Sequence, residues 1–222
     1  MKAVENITEV VVQAGEISLD GYLTVPDSAK GLVVFVHGSG SSRFSTRNQY
    51  VARVLNQGDL ASLLFDLLTA DENEMDMRTR KLRFDIDLLS ERTTATLDWL
   101  AGQKSVADLP VGLFGSSTGA AAALNAAAAR PEQVSTVVSR GGRPDLAMKA
   151  LPRVKAPTLM LVGGLDYPVI EMNRTAAAAM QAPCQIEIVE GATHLFEEPG
   201  KLEQVAARAR DWFVEYLTSA ET

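Results

Sequence analysis

Short apolar runs alternate with helical stripes along most of the chain. Leu32 to Val36 (LVVFV), Ser62 to Phe65, Val111 to Phe114, Val134 to Ser139, Thr158 to Val162 and Gln185 to Val189 read as strands. Most of them are apolar throughout, the pattern expected of strands covered on both faces. Ahead of them, Thr8 to Val12 and Ile17 to Val25 flank Ala14-Gly15 and predict an antiparallel hairpin. Leu82, Ile86, Leu89, Thr93, Leu97 and Leu100 recur every three or four residues, which puts them on one face of a helix. Val205, Ala209, Phe213 and Tyr216 do the same near the C-terminus. Asn48 to Gln57 ends at Gly58 and the alanine-rich Thr118 to Arg130 ends at Pro131, residues that stop helices. Tyr167 to Gln181 is the remaining helical segment.

A hairpin followed by repeated strand-then-helix units predicts an α/β fold, a mostly parallel twisted sheet of about eight strands with helices on both faces. Ligands of such sheets bind at the carboxyl ends of the strands. No linker or repeat interrupts the pattern, so residues 1–222 are expected to form a single domain. The connection from Ser139 to Thr158 is too short to hold a cap domain, and the site should be fairly open. Asp71 to Asp76 (DENEMD), followed by Arg78, Arg80, Lys81 and Arg83, reads as a solvated loop after the fourth strand.

Charge narrows the list of partners. With 21 Lys plus Arg against 28 Asp plus Glu the net charge is −7, a field that repels nucleic-acid phosphates and anionic lipid. Neither nucleic acid nor a membrane is expected as a partner. No apolar run approaches the roughly 18 residues needed to cross a bilayer, and MKAVENITEV lacks the basic patch and apolar run of a leader. The lone Cys184 forms no internal disulfide, which fits a cytoplasmic location. Two histidines and no cysteine cluster argue against a metal site, and no cofactor is expected.

The chemistry concentrates in four short segments. Gly115-Ser116-Ser117-Thr118-Gly119 is a G-x-S-x-G pattern running from a strand into a helix. That is the context of a nucleophile elbow, whose central residue occupies a strained turn with glycines two positions to either side. The register selects Ser117 over Ser116. A serine hydroxyl needs a base, and the chain order of nucleophile, acid and histidine selects His194, in Gly191-Ala-Thr-His194, over His37. His37, at the end of the third strand, is expected to shape its loop by hydrogen bonding. Asp166 follows the TLMLV strand and is the expected acid; Asp145, after the preceding strand, is its competitor. The backbone N–H groups of Thr118 and Ser39 are the expected oxyanion donors, with Gly38 and Gly40 letting the loop approach closely. Gly38-Ser-Gly40 lacks the lysine of a P-loop and the spacing of a dinucleotide fingerprint.

VVFVHGSGSS, GLFGSSTG, LMLVGGLDYPV and GATHLFEEP stand in order across Val33 to Pro199. Together they resemble the α/β-hydrolase superfamily, and the compact size and early hairpin resemble its dienelactone hydrolase-like branch. The resemblance implies an eight-stranded sheet with an antiparallel second strand, a triad of Ser117, Asp166 and His194, and carboxylic ester chemistry. Dienelactone hydrolases carry cysteine at the elbow where this chain has Ser117, a departure that points away from dienelactone as the substrate. The expected activity is a metal-independent serine hydrolase that cleaves a small-molecule ester or lactone through an acyl-enzyme. An acyltransferase would use the same residues, and a non-catalytic binding protein could retain the scaffold. Arg140, Arg143 and Arg43 stand near the strand ends. They are expected to be surface ion-pair residues or, for Arg140 above all, a clamp on a substrate carboxylate.

Overall fold

The computed structural model describes residues 7–218. Strands β1 (Ile7–Ala14) and β2 (Ile17–Thr24) form the hairpin and pair in antiparallel fashion. Gly15 makes the reversal at φ 67°, a conformation that suits glycine. β2 pairs antiparallel with β4 (Ala61–Phe65), and from there every pairing is parallel. β3 is Leu32–Val36, β5 Val111–Ser116, β6 Val134–Arg140, β7 Thr158–Gly163 and β8 Cys184–Val189. The sheet order is β1-β2-β4-β3-β5-β6-β7-β8, the α/β-hydrolase arrangement of eight mostly parallel strands.

The continuous apolar runs have a simple cause. In β3, Val34 and Val36 pack into one core while Val33 and Phe35 pack into the other, so a strand with two buried faces has no position for a polar residue. The first core is filled from α3 (Ile86–Leu100) and α4 (Thr118–Ala129), which contribute Leu97, Leu100 and Leu124. The second is filled from α1 (Thr46–Asn56) and α6 (Lys201–Thr218), with Val51, Leu55 and Phe213. α5 (Tyr167–Ala179) lays Val169 and Ile170 against Val162 of β7. Ala120 to Ala123 are fully buried, so the alanine run of α4 serves close helix-to-sheet packing.

The segment expected to be a solvated loop is instead a helix, α2 (Ala70–Thr79), with a capping box. The Thr69 hydroxyl accepts from the Glu72 N–H at 3.2 Å, and the Glu72 carboxylate accepts from the Thr69 N–H at 2.8 Å. Its carboxylates Asp76 and Glu72 are partnered by residues beyond the helix. Asp76 is buried and accepts from the Leu82 and Arg83 N–H groups at 2.8 and 3.1 Å, and from Arg83 Nε at 2.5 Å. Burial alone would raise the Asp76 carboxyl; the bonds from Arg83 and Leu82 together outweigh it and hold the group below its usual value. Glu72 pairs with Arg92 of α3 at 2.8 Å. The stripe starting at Leu82 also breaks, because Leu82–Phe84 form a separate 3-10 turn and Asp85 caps α3 by accepting from the Leu88 N–H.

Between β6 and β7 the chain makes two short 3-10 turns, Pro144–Ala147 and Leu151–Arg153, and no cap domain is inserted there. Among the described residues no helix is long and apolar enough to cross a membrane.

Candidate active site

β5 delivers the chain to Ser117, which stands at φ 49° and ψ −122° between the strand and α4. A side chain larger than hydrogen makes this conformation costly, on the order of 1–3 kcal/mol, so the surroundings must impose it. They do so from three sides. The Ser117 N–H donates to the Arg140 carbonyl at 3.2 Å, and the Ser117 carbonyl accepts from the Arg143 N–H at 3.0 Å. A methyl group on Gly119 would lie 2.2 Å from the Val36 carbonyl oxygen, and one on Gly115 would lie 2.5 Å from the Ala120 Cα. The glycines of the motif are therefore required by backbone contact. Ser116 is buried and its hydroxyl donates to Asn48 Oδ1 at 3.4 Å, leaving the half-buried Ser117 as the serine of the turn that reaches the surface.

Asp166 follows β7 and caps the start of α5, while His194 lies in the loop after β8. The two meet, with His194 Nδ1 2.6 Å from Asp166 Oδ2. Asp145 does not join them; it takes the Arg143 guanidinium in a two-pronged pair at 2.8 and 2.9 Å. The His194 ring packs against Gly141, whose φ is +50° and which follows the Arg140 that bonds the Ser117 N–H; a Cβ on that glycine would lie 3.5 Å from His194 Nδ1. Among the described residues no hydrogen bond joins the Ser117 hydroxyl to His194. The loop carrying His194 is fixed by Glu198, which accepts from the Thr193 N–H at 3.1 Å.

His37 is buried and bridges two strand ends. Its Nε2 accepts from the Leu67 N–H at 3.0 Å, which leaves the proton on Nδ1 to be donated to the Gly38 carbonyl at 2.9 Å. Burial pushes its pKa down, against smaller opposing effects of Gly38 and Asp66, so the ring is held neutral. The loop it shapes approaches the elbow closely: a Cβ on Gly38 would stand 3.1 Å from the Ser117 Cβ. Thr118 opens α4, where a first-turn N–H has no carbonyl within the helix to bond. The Ser39 N–H also points at this helix start but is already occupied, donating to Thr118 Oγ1 at 2.9 Å.

A cavity of about 510 Å³ opens beside the Ser39 loop, lined by Arg43, Phe44, Asp66, Asn73 and Arg83 among others. Its two arginines are neutralised: Arg43 pairs with Asp66 and, at 3.3 Å, with Asp20, and Arg83 pairs with Asp76. The α2 residues of this wall were missed by sequence reasoning, although Thr69-x-x-Glu72 is a capping-box signature that could have located the helix. Among the described residues no group of three or more His, Cys, Asp or Glu side chains is placed to hold a metal. Burial pushes the Cys184 thiol up to about 11, so it is no competing nucleophile at neutral pH.

The sequence profile of the dienelactone hydrolase family matches residues 19–218. A crystal structure of a dienelactone hydrolase from Anabaena variabilis is 56% identical, covers 96% of this chain and 99% of that one, and superposes with a TM-score of 0.95. Est1E from Butyrivibrio proteoclasticus, covering 95% of this chain and 99% of its own at 15% identity and TM-score 0.80, shares the fold. A Mycobacterium tuberculosis H37Rv protein that carries the provisional name phosphoribosyl transferase is 56% identical over 209 residues, 94% of this chain and 46% of its own length. The chain thus spans about half the length of that curated relative.

Proposed function

The chain belongs to the dienelactone hydrolase family, and on that footing we propose that it is a serine hydrolase that cleaves a carboxylic ester or lactone of a small substrate. In this reading Ser117 attacks the carbonyl carbon while His194 takes its proton. Asp166 orients the imidazole and stabilises the cation that forms. The Thr118 N–H and the Ser39 N–H receive the oxyanion, the latter after rotation of the Thr118 hydroxyl that occupies it. His194 then protonates the departing alcohol, and water, activated by the same base, releases the acid from Ser117.

One observation carries the proposal: a serine held at positive φ between flanking glycines, its N–H bonded to the Arg140 carbonyl, with a histidine packed against the adjoining Gly141 and already paired with a carboxylate at 2.6 Å. Such backbone strain persists only where the fold enforces it. A cysteine nucleophile, as in the family pattern, would work through a thiolate; a serine depends on the base, so this reading ties turnover to His194. The transferase name of the longer relatives is, in this reading, assigned to the part of those proteins that the chain does not cover.

The test is turnover of activated aryl esters by the purified protein, its Ser117→Ala variant and its His194→Ala variant. Hydrolysis that falls by three or more orders of magnitude in both variants, with folding intact, supports the proposal. Undiminished hydrolysis by Ser117→Ala contradicts it.

A further inference from the structure

Asn173 is a fully buried amide in the middle of α5, on a face where the other buried positions, Val169, Ile170 and Ala176, are apolar. Asparagine is a weak helix former, and an aliphatic residue would pack such a face without burying polar atoms. Both protons of its amide are used. Nδ2 donates to the Val169 carbonyl at 2.8 Å, one turn back on the same helix, and to the Gly142 carbonyl at 3.0 Å, in the chain that leaves β6. With two carbonyls on that side the amide must present its nitrogen there, and Oδ1 is left buried with no partner among the described residues. A polar atom left unmet in the core is destabilising and calls for a reason.

The reason lies in the segment to which Gly142 belongs. The Arg140 carbonyl accepts from the Ser117 N–H at 3.2 Å and the Arg143 N–H donates to the Ser117 carbonyl at 3.0 Å, so residues 140–143 hold the serine from both sides. Between those two contacts Gly141 lies against His194: a Cβ there would stand 3.1 Å from the His194 carbonyl oxygen and 3.5 Å from two atoms of its ring. These contacts are made by backbone, while the Arg140 guanidinium lies 5.9 Å from the centre of the Phe114 ring. The segment is fastened to β7 by the Gly141 N–H, which donates to the Leu161 carbonyl at 2.8 Å. Asn173 fastens it to α5. That helix begins at Asp166, its N-cap and the partner of His194, about two turns before Asn173.

We propose that Asn173 is a positioning residue for the reaction at Ser117: by fastening Gly142 to α5 it holds the 140–143 segment, and with it Ser117 and the His194 ring, in register with Asp166. The catalytic consequence rests on the serine-hydrolase reading; the fastening does not. The segment has no side chain of its own to do this at Gly142, because a Cβ there would lie 1.9 Å from Ser139 Oγ and 2.6 Å from the Ala120 Cβ. Gly142 is buried, so its carbonyl needs a donor from the protein. An apolar residue at position 173 would fill the space and leave the segment unfastened.

Two measurements test this. The first is amide hydrogen exchange in Asn173→Leu, which keeps the branched shape of the side chain and removes the donor. Exchange at the Ser117, Gly141 and Arg143 amides should quicken by about tenfold or more while the amides of β3 and α4 keep their protection. Unchanged exchange at those three amides, or a uniform rise throughout the protein, overturns the proposal. The second is steady-state kinetics on an activated aryl ester, well below the Tm of each variant. Asn173→Leu should lower kcat by about 10- to 100-fold, the scale of a small displacement between reacting groups, and leave KM near the wild-type value. Asn173→Ser, whose hydroxyl can serve the Val169 carbonyl but is too short to reach Gly142, should show the same split and is decisive if the leucine variant fails to fold. An active wild type whose variants keep full kcat, or lose activity through KM alone, overturns the positioning role. A wild type that cleaves no ester refutes the serine-hydrolase reading and the catalytic role with it, and exchange then decides the fastening alone. Failure of both variants to fold would make Asn173 a residue of the core only and overturn the proposal.

Discussion

Asp166 Oδ2 lies 2.6 Å from His194 Nδ1, joining two loops 28 residues apart in sequence at the carboxyl ends of neighbouring strands. The carboxylate engages Nδ1 of the ring, and in the proposed mechanism Nε2 is the nitrogen that acts on Ser117. Asp166→Asn is expected to keep the fold and lower kcat by about 10⁴, the scale of losing an orienting carboxylate beside a histidine base. Asp145→Asn should lose less than tenfold, because Asp145 is spent on Arg143. Steady-state kinetics on one aryl ester decides, and the reverse ranking would move the acid to Asp145.

Gly119→Ala should abolish soluble folded protein or lower its stability by more than about 4 kcal/mol, since the clash is with backbone rather than with a flexible side chain. The added methyl would stand 2.2 and 2.4 Å from the carbonyl oxygens of Val36 and His37, so either β3 or the elbow must move. Gly200→Ala is the control for steric effect, as no atom lies within 4 Å of its added methyl, although its φ of +78° carries a modest strain. Urea unfolding of the two variants should separate them clearly.

Stability should fall as pH drops below neutrality, and His37 is a named contributor. Its folded pKa is depressed by burial, whereas the unfolded chain titrates near about 6.5. Below that value the unfolded state takes up a proton that the native state refuses. The contribution is thus complete above about 6.5 and is lost as pH falls toward the lower folded value. The difference in Tm between wild type and His37→Gln should shrink from pH 7.5 to pH 5.5. A difference that widens over this interval would show that the ring is charged in the native state.

The strands were legible because burial on both faces leaves a simple imprint: LVVFV, VGLF and TLMLV appear as β3, β5 and β7 with shifts of two residues or fewer at their ends. The elbow was legible because its glycines answer to backbone contacts that no other residue type meets. The α2 helix was not, because Asp71 to Asp76 looks like a solvated charge run until Asp76 is seen buried under Arg83. Its partners come from Leu82 and Arg83, beyond the helix end, and no periodicity records such a capping contact. Arg140 shows the opposite limit. Sequence placed a cation at the end of β6, but could not reveal that Arg43 and Arg143 would find carboxylates while Arg140 finds none among the described residues.

If the Thr69 capping box is what makes a helix of this polar segment, Thr69→Ala should cost about 1 kcal/mol and loosen α2. Amide hydrogen exchange should quicken across 70–79 and in the 3-10 turn that follows, while β5 and α4 stay protected. Uniform exchange throughout the protein would instead mean that α2 is held by its contacts and not by its cap.

The central claim is that Ser117 is an activated nucleophile, and covalent capture tests it most directly. The protein is treated with a fluorophosphonate probe at neutral pH, digested and analysed by peptide mass spectrometry. The account predicts a single phosphonate adduct on Ser117, absent from Ser117→Ala and strongly slowed in His194→Ala. A folded, ester-cleaving protein that takes up no probe, or that carries the adduct on Ser116 or another side chain, would contradict it.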